Sequence, residues 1–351
     1  MKKQLLSLAL LLFVFIIAGC AGSSTMTSTD IYKGTDGLVM KFVPNAPPDA
    51  VFENAIVPIG IEIRNKGAYD IENGLITFSL EEDYMLLDKS SAKSSVRGAK
   101  EPGGVFEDIG RDRVNWEAYK PQIRFSLDGR SVERADGEEE IIIINSNAKA
   151  LEELSQIHES AILATGCYGY KTQLFTTVCI DTDIYNLKKI QKSCKVMDQK
   201  YTNQGAPVTI ANIFTEIMPM DIPNRIRPQF LIYAQNKGNG LVLKKDAEII
   251  SDACSEKPLN YSKWNVVYIN AYLGGDQKQI NCDITDKQEG EAATKTGTIK
   301  LSDNMGVARC WLDEGIDESK GTYVAPLRVE LDYGYTTTIS KNIIIKKPMV
   351  R

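Results

Sequence analysis

Seven cysteines, a single histidine and a few short carboxylate runs are the residues of this 351-residue chain with chemistry to offer. Cys20 stands apart near the amino end; the other six are Cys167, Cys179, Cys194, Cys254, Cys282 and Cys310. None is spaced Cys-x-x-Cys and His158 is the only histidine, so a zinc site would need unusual ligands. An even number in an exported chain suggests disulfides, for which six cysteines allow fifteen connectivities. Cys282 and Cys310 each sit in an alternating, strand-like run and make the best single pair. Cys179 and Cys194 are spaced to close a loop, which leaves Cys167 with Cys254. One or two buried free thiols are the alternative.

The other candidates for chemistry are thinner. A Ser-His-Asp or Cys-His arrangement could run only through His158, and no Gly-x-Ser-x-Gly turn surrounds any serine. Glu138-Glu139-Glu140 offers the residue type of a metal or glycosidase set, but consecutive residues cannot all face one point. The triplet reads as a solvated strand entry. Calcium at Asp181, Asp183 or Asp303-Asn304 lacks a spaced ligand loop. Asn236-Lys237-Gly238-Asn239-Gly240 lacks the Lys-Ser/Thr and helix start of a phosphate loop. The expectation is no catalytic residue, no metal and no cofactor. Its alternative is an extracytoplasmic hydrolase with a carboxylate-based site, since Asp and Glu are too common to map. Asn260-Tyr261-Ser262 is the one Asn-x-Ser/Thr sequon and makes Asn260 a candidate glycosylation site.

The elements that must position these residues announce themselves by repetition. Tyr168-Gly169-Tyr170-Lys171-Thr172 returns as Tyr333-Gly334-Tyr335-Thr336-Thr337, 165 residues later. Asn65-Lys66-Gly67 closes one alternating apolar run and Asn236-Lys237-Gly238 closes another, 171 residues on. Two landmarks in the same order at nearly the same offset argue for a duplicated unit. The flanking patterns are those of strands. Ile59, Ile61 and Ile63 alternate with polar neighbours, as do Ile76, Phe78 and Leu80, and later Leu327, Val329, Leu331 and Tyr333. Four isoleucines, 141–144, fit a buried strand. Residues 161–170 and 174–180 read as a closing hairpin turning at 171–173, and 339–345 as the hairpin partner of 327–333. Short helices are expected at 148–157 and 246–253, and residues 89–104 read as an exposed loop. Asp317 followed by Gly321-Thr322-Tyr323 is similar to the corner that opens a late strand of immunoglobulin-like domains.

With 43% of residues hydrophobic and 25% charged, the chain can bury one or two cores, and disorder is excluded for most of it. The net charge of -5, with no Lys/Arg block, gives no footprint for nucleic acid. Lys2 and Lys3 precede an uncharged run over 5–18 that ends in Ile17-Ala18-Gly19-Cys20, the layout of a secretory signal and too short for a membrane span. The last four residues resemble a prokaryotic lipobox, which implies cleavage before Cys20 and acylation of its thiol. The division that follows is a signal peptide at 1–19, a lipid-anchored flexible tether at 20–32, a first β-sandwich at 33–198, a linker at 199–206 and a second β-sandwich at 207–351.

The segments 167–172 and 332–335, with the Asn-x-Gly turn after the second strand, resemble CARDB-like and other immunoglobulin-like sandwiches of prokaryotic cell-surface proteins. The whole chain looks like a family of archaeal exported lipoproteins. The resemblance implies an all-β fold of two tandem immunoglobulin-like antiparallel sandwiches, with one or two short helices, and no catalytic residue travels with it. At roughly 165 residues each copy exceeds the ~100 of a simple sandwich. The function expected is that of a non-enzymatic surface lipoprotein, extracytoplasmic and anchored to the cell membrane. It would bind, adhere or scaffold through loops at the sandwich ends. Its partners would be membrane lipid at the anchor and an envelope or surface protein or glycan, without nucleic acid. Tyr168, Tyr170, Tyr333 and Tyr335 could contact a sugar or protein, but equal placement in both copies favours packing.

Overall fold

The computed structural model describes residues 28–97, 107–109, 113–115, 120, 122–187, 191–255, 257–284 and 295–349. The leader, Cys20 and most of the tether lie outside them, as do Phe106, Trp116 and Tyr119. The first half holds α1 (Ser28–Ile31), β1 (Leu38–Phe42), β2 (Ala50–Phe52), β3 (Ile56–Asn65), β4 (Ile71–Leu80) and β5 (Met85–Arg97). It continues with β6 (Glu107–Asp108), β7 (Val114–Asn115), β8 (Gln122–Leu127), β9 (Glu139–Ala148) and β10 (Ile157–Asp181). The second half holds β11 (Gln199–Lys200), β12 (Val208–Pro219), β13 (Arg225–Asn236), β14 (Leu241–Leu243) and α2 (Ala247–Cys254). Then come β15 (Val266–Leu273), β16 (Lys278–Cys282), β17 (Gly297–Lys300), β18 (Met305–Trp311), β19 (Ile316–Asp317) and β20 (Thr322–Lys346).

The period-two patterns become strands with one buried face, most regularly in β13 and β15. One sheet has the order β1-β3-β9-β5-β6. The second copy repeats that order as β12-β13-β18-β16, inside a larger sheet that continues through β15-β20-β10-β4-β8-β7. The fold is therefore all-β, two immunoglobulin-like antiparallel sandwiches with two short α-helices among the described residues. Residues 199–206 include β11 and end in a buried stretch, with Gln204 2% and Ala206 0% exposed.

What joins the halves is a ribbon. β10 and β20 are each 25 residues long and pair antiparallel from Ile157↔Lys346 to Asp181↔Thr322 without a shift of register. Most strands run about 5–6 residues. At the middle Gly169 faces Gly334, Tyr168 faces Tyr335 and Tyr170 faces Tyr333, so the duplicated segment pairs with its own copy. The four rings meet on one face, with Tyr168 and Tyr170 centroids 5.5 Å apart edge to face and Tyr168 and Tyr335 5.9 Å apart. Tyr168 and Tyr333 are wholly buried.

Two of the buried hydroxyls, those of Tyr170 and Tyr335, are given a partner by the other landmark, in the same way in the two copies. The Tyr170 hydroxyl donates to Asn65 Oδ1 at 3.2 Å and the Tyr335 hydroxyl to Asn236 Oδ1 at 3.1 Å. Those amide oxygens also accept from the Gly67 and Gly238 N–H groups, and the amide nitrogens donate to the carbonyls of Tyr69 and Gly240. The hydroxyls of Tyr168 and Tyr333 accept from the N–H groups of Leu38 and Val208. Both turns need glycine: a Cβ on Gly67 would lie 1.8 Å from the Tyr170 hydroxyl, and one on Gly238 2.3 Å from that of Tyr335. Burial pushes the phenol of Tyr335 up to about 12 and those of Tyr168 and Tyr333 well above their ordinary value, because the phenolate would be left out of solvent.

Three local expectations are corrected. Neither closing hairpin forms, because Lys171-Thr172-Gln173 carries no turn residue and every position of both strands finds its partner across the ribbon instead. Residues 148–157 are not a helix but a turn, with the Leu151 N–H captured by Glu53 Oε2 at 2.9 Å. Of the exposed loop at 89–104, residues up to Arg97 belong to β5, whose Lys93–Arg97 part borrows its ladder from β9 without an apolar pattern of its own.

Replacing Tyr170 by Phe should cost about 1 kcal/mol in urea denaturation, the typical worth of one buried hydrogen bond. Gly67→Ala should cost more, and adding Tyr170→Phe to it should restore part of that loss because the colliding oxygen is gone.

Candidate functional site

The six cysteines of the two halves stand in three bonded pairs, Cys167–Cys254, Cys179–Cys194 and Cys282–Cys310. The last joins directly opposed positions of β16 and β18, and the first ties α2 to the ribbon. Cys20 lies outside the described residues. Asn260 is exposed and caps a single helical turn, its side chain accepting from the Ser262 N–H.

The residues suspected of chemistry are mostly engaged in holding the fold. His158 Nε2 lies 2.8 Å from Glu81 and the ring stacks on Tyr84 at 3.4 Å. That contact, above all, holds the Glu81 carboxyl below its ordinary value. Ser160, two residues along the same strand, is wholly buried. The Glu138 to Glu140 triplet corrects the expectation of a solvated entry. Glu139 and Glu140 are buried and paired with Arg64 and Arg113, because β9 enters between β3 and β5, each close to an arginine. Near Asp181 and Asp183 a lysine stands where a cation would: Lys192 Nζ donates to Asp181 Oδ2 and Asn186 Oδ1, both at 2.5 Å, and to the Asp183 carbonyl at 3.1 Å. Asp303 and Asn304 belong to a separate positive-φ turn beside Asn236. Among the described residues no group of three His, Cys, Asp or Glu is arranged for a metal ion.

A recess of about 510 Å³ lies over Gly169 at the middle of the ribbon, on the face opposite the tyrosine rings. It exists because the two copies differ there. In the second copy β14 pairs with β20 at 334–336, and the chain runs on into α2. In the first, β4 pairs with β10 only over 75–80, since a bulge between Ile71 and Gly74 swings Glu72 and Asn73 outward. Gly334 is consequently covered: an added Cβ would lie 2.8 Å from the Lys244 carbonyl oxygen and 3.0 Å from Leu243. Gly169 is exposed, and its Cβ would meet only Ile250, at 3.8 Å.

Tyr69, Asp70, Glu72 and Asn73 form one wall of the recess and Lys245, Ala247 and Ile250 the other. Lys171 and Asp332, opposed across the ribbon, close one end. Asp332 lies 4.0 Å from Lys171 and 3.9 Å from Lys245, whose ammonium also sits 5.0 Å over the Tyr268 ring. Asp70 Oδ1 accepts from the Gly129 N–H at 2.7 Å. The anionic wall and the cationic end suit a ligand carrying both charges, and the carboxylates already engaged suit binding better than proton transfer. Sequence reasoning missed these residues although a signal was present. Aligned on the two landmarks, Asp70, Glu72 and Lys171 of the first copy face Leu241, Leu243 and Thr336 of the second. The four tyrosines themselves are 5% exposed or less, and of them Tyr170 and Tyr333 border the recess.

No family model matches the chain and no curated protein matches it. Among solved structures it is similar to the C-terminal domain of the Streptococcus agalactiae antigen I/II polypeptide BspA, at 10% identity over 88% of this chain and 100% of that one, with a TM-score of 0.21. It is also similar to the collagen binding domain of the Erysipelothrix rhusiopathiae surface protein RspB (10%, 89% and 97%, TM-score 0.14). AvmM, which catalyzes macrocyclization in alchivemycin A biosynthesis, matches 39% of this chain and 76% of its own at 14% identity and a TM-score of 0.21. Likenesses this distant say nothing of what the chain does, and its function is argued from its own residues.

Two outcomes follow from this geometry. Under native conditions a thiol reductant with alkylation should label Cys179 and Cys194 first by mass spectrometry, because the other four sulfurs are wholly buried. Asp181 is raised by burial but pulled lower still by Lys192, the Asp183 N–H and Thr322, for a net depression. Its contribution to stability is therefore present above an ordinary carboxylate pKa of about 4 and lost as pH falls through the lower folded value. Lys192→Gln should flatten that acid limb in a pH series of thermal melts.

Proposed function

We propose that this chain is an exported, non-enzymatic surface lipoprotein that binds a partner through the recess over Gly169. The carrying observation is the contrast between twin glycines, one covered by the chain's own β14-to-α2 connection and the other left open between charged walls. The site we favour is thus at the waist and not at the sandwich-end loops. In this reading residues 1–19 are removed, Cys20 is acylated, and 33–198 and 207–351 are the two copies of a CARDB-like unit. The partner is another envelope or surface protein or a glycan, and Asn260 is open to glycosylation.

The way the chain enters the fold supports a side-on tether. Arg130 donates to the Lys33 carbonyl, the Gly205 N–H to the Gly34 carbonyl at 3.0 Å, and Tyr32 lies 6.2 Å from Tyr69 on the wall of the recess. Residues 20–27 can span at most about 28 Å. A lipid at Cys20 would hold the waist, not an end, close to the membrane.

Pull-down from detergent-solubilised membranes, with disulfides intact, tests the reading. A partner should be retained by the wild-type protein and lost from Gly169→Leu, which fills the recess without a backbone collision. Equal retention by both would move the site elsewhere, and an unmodified Cys20 peptide in mass spectrometry would remove the anchor.

A further inference from the structure

We propose that the recess receives an extended stretch of polypeptide from a partner protein, laid across Gly169 as residues 243–244 lie across Gly334. The inference rests on the recess being the binding site and names the class of its ligand. The template is internal. Over Gly334 the occupants are a main-chain carbonyl, that of Lys244, and the side chains of Ile250 and Leu243. Over Gly169, at the twin position of the same ribbon, nothing but the tip of Ile250 approaches. A glycine floor admits a passing backbone at a distance that any side chain would forbid. Along this edge of β10 the described strands pair only over 162–167, so the main chain of residues 169–171, which lines the recess, has no strand partner there among the described residues. Adding a short strand to such an edge is a recurrent way of holding a peptide.

Charge and shape favour the same class. Asp70 and Glu72 are exposed on the wall formed by the start of β4, and Lys171 and Lys245 flank Asp332 at the other side. A segment with a basic residue toward β4 and an acidic or carbonyl-rich stretch toward Lys245 satisfies both. A glycan is the weaker fit, because Tyr170 and Tyr333 are buried and the half-buried Tyr69 ring is already packed against Tyr32 and Tyr170.

The test uses the disulfide-intact protein and a fluorescent heptapeptide copied from residues 240–246, Gly-Leu-Val-Leu-Lys-Lys-Asp, together with an array of random heptapeptides. Fluorescence polarisation should show saturable binding of the copied peptide or of array hits. Gly169→Leu should weaken it at least tenfold, and Glu72→Lys several-fold, with lower affinity at raised salt. If Gly169→Leu failed to fold in a thermal melt, Glu72→Lys and Lys171→Glu, both on the surface, would carry the comparison. Absence of saturable binding to any peptide, or equal binding by wild type and variants, overturns the proposal. Loss of the membrane partner from Gly169→Leu without peptide binding would leave the site standing and remove only the peptide class.

Discussion

Four tyrosine rings meet at the middle of two long paired strands, their hydroxyls buried, and an unpaired buried hydroxyl costs roughly 1–3 kcal/mol. The architecture follows from giving each of them a partner. The Asn-Lys-Gly turns end β3 and β13 where an amide oxygen can accept the hydrogen bond of the Tyr170 or Tyr335 hydroxyl. The glycine of each turn vacates the volume that the hydroxyl fills. The amino ends of the outer strands supply the N–H groups for Tyr168 and Tyr333. One half of each sandwich is thereby docked on the ribbon, and because the ribbon is common the two halves are held by one device used twice.

That device occurs in both copies, and the space around it differs between them. The second copy carries α2, pinned by Cys167–Cys254 and a small cluster of Leu75, Cys167, Ile250 and Cys254 separate from the main core. It also donates and accepts across to Gln122 through Ser251. The helix seals Gly334 and forms one wall over Gly169. The bulge in β4, where Gly74 makes room for the Phe125 ring, forms the other wall. Such a site is built on paired strands and a disulfide-tied helix, and a preformed site lowers the ordering cost of binding.

The charged residues divide by burial. Glu139, Glu140 and Asp181 are held by arginine or lysine, and breaking one such pair leaves a charge short of solvent. Asp70, Glu72, Lys171 and Lys245 surround an open space and remain largely hydrated. The second set is the one able to exchange water for a ligand.

The sequence by itself determined the all-β class, the duplication and many strands, because in-and-out alternation and turn residues are local signals that burial of one face enforces. Ile59 to Ile63 and Leu327 to Tyr333 could be read directly, and so could the two landmarks. Only the tertiary structure decided that the Tyr-Gly-Tyr segments pair with each other. Strand partners are non-local, and a 25-residue ladder overrode the turns that spacing had suggested at 171–173. It decided equally that the acidic triplet is buried, since an arginine 75 residues away in Arg64 lies outside any local pattern. The recess was half legible: the charged-for-apolar exchanges between aligned copies are present in the chain, but that Gly169 is open while Gly334 is covered depends on where β14 and α2 come to rest.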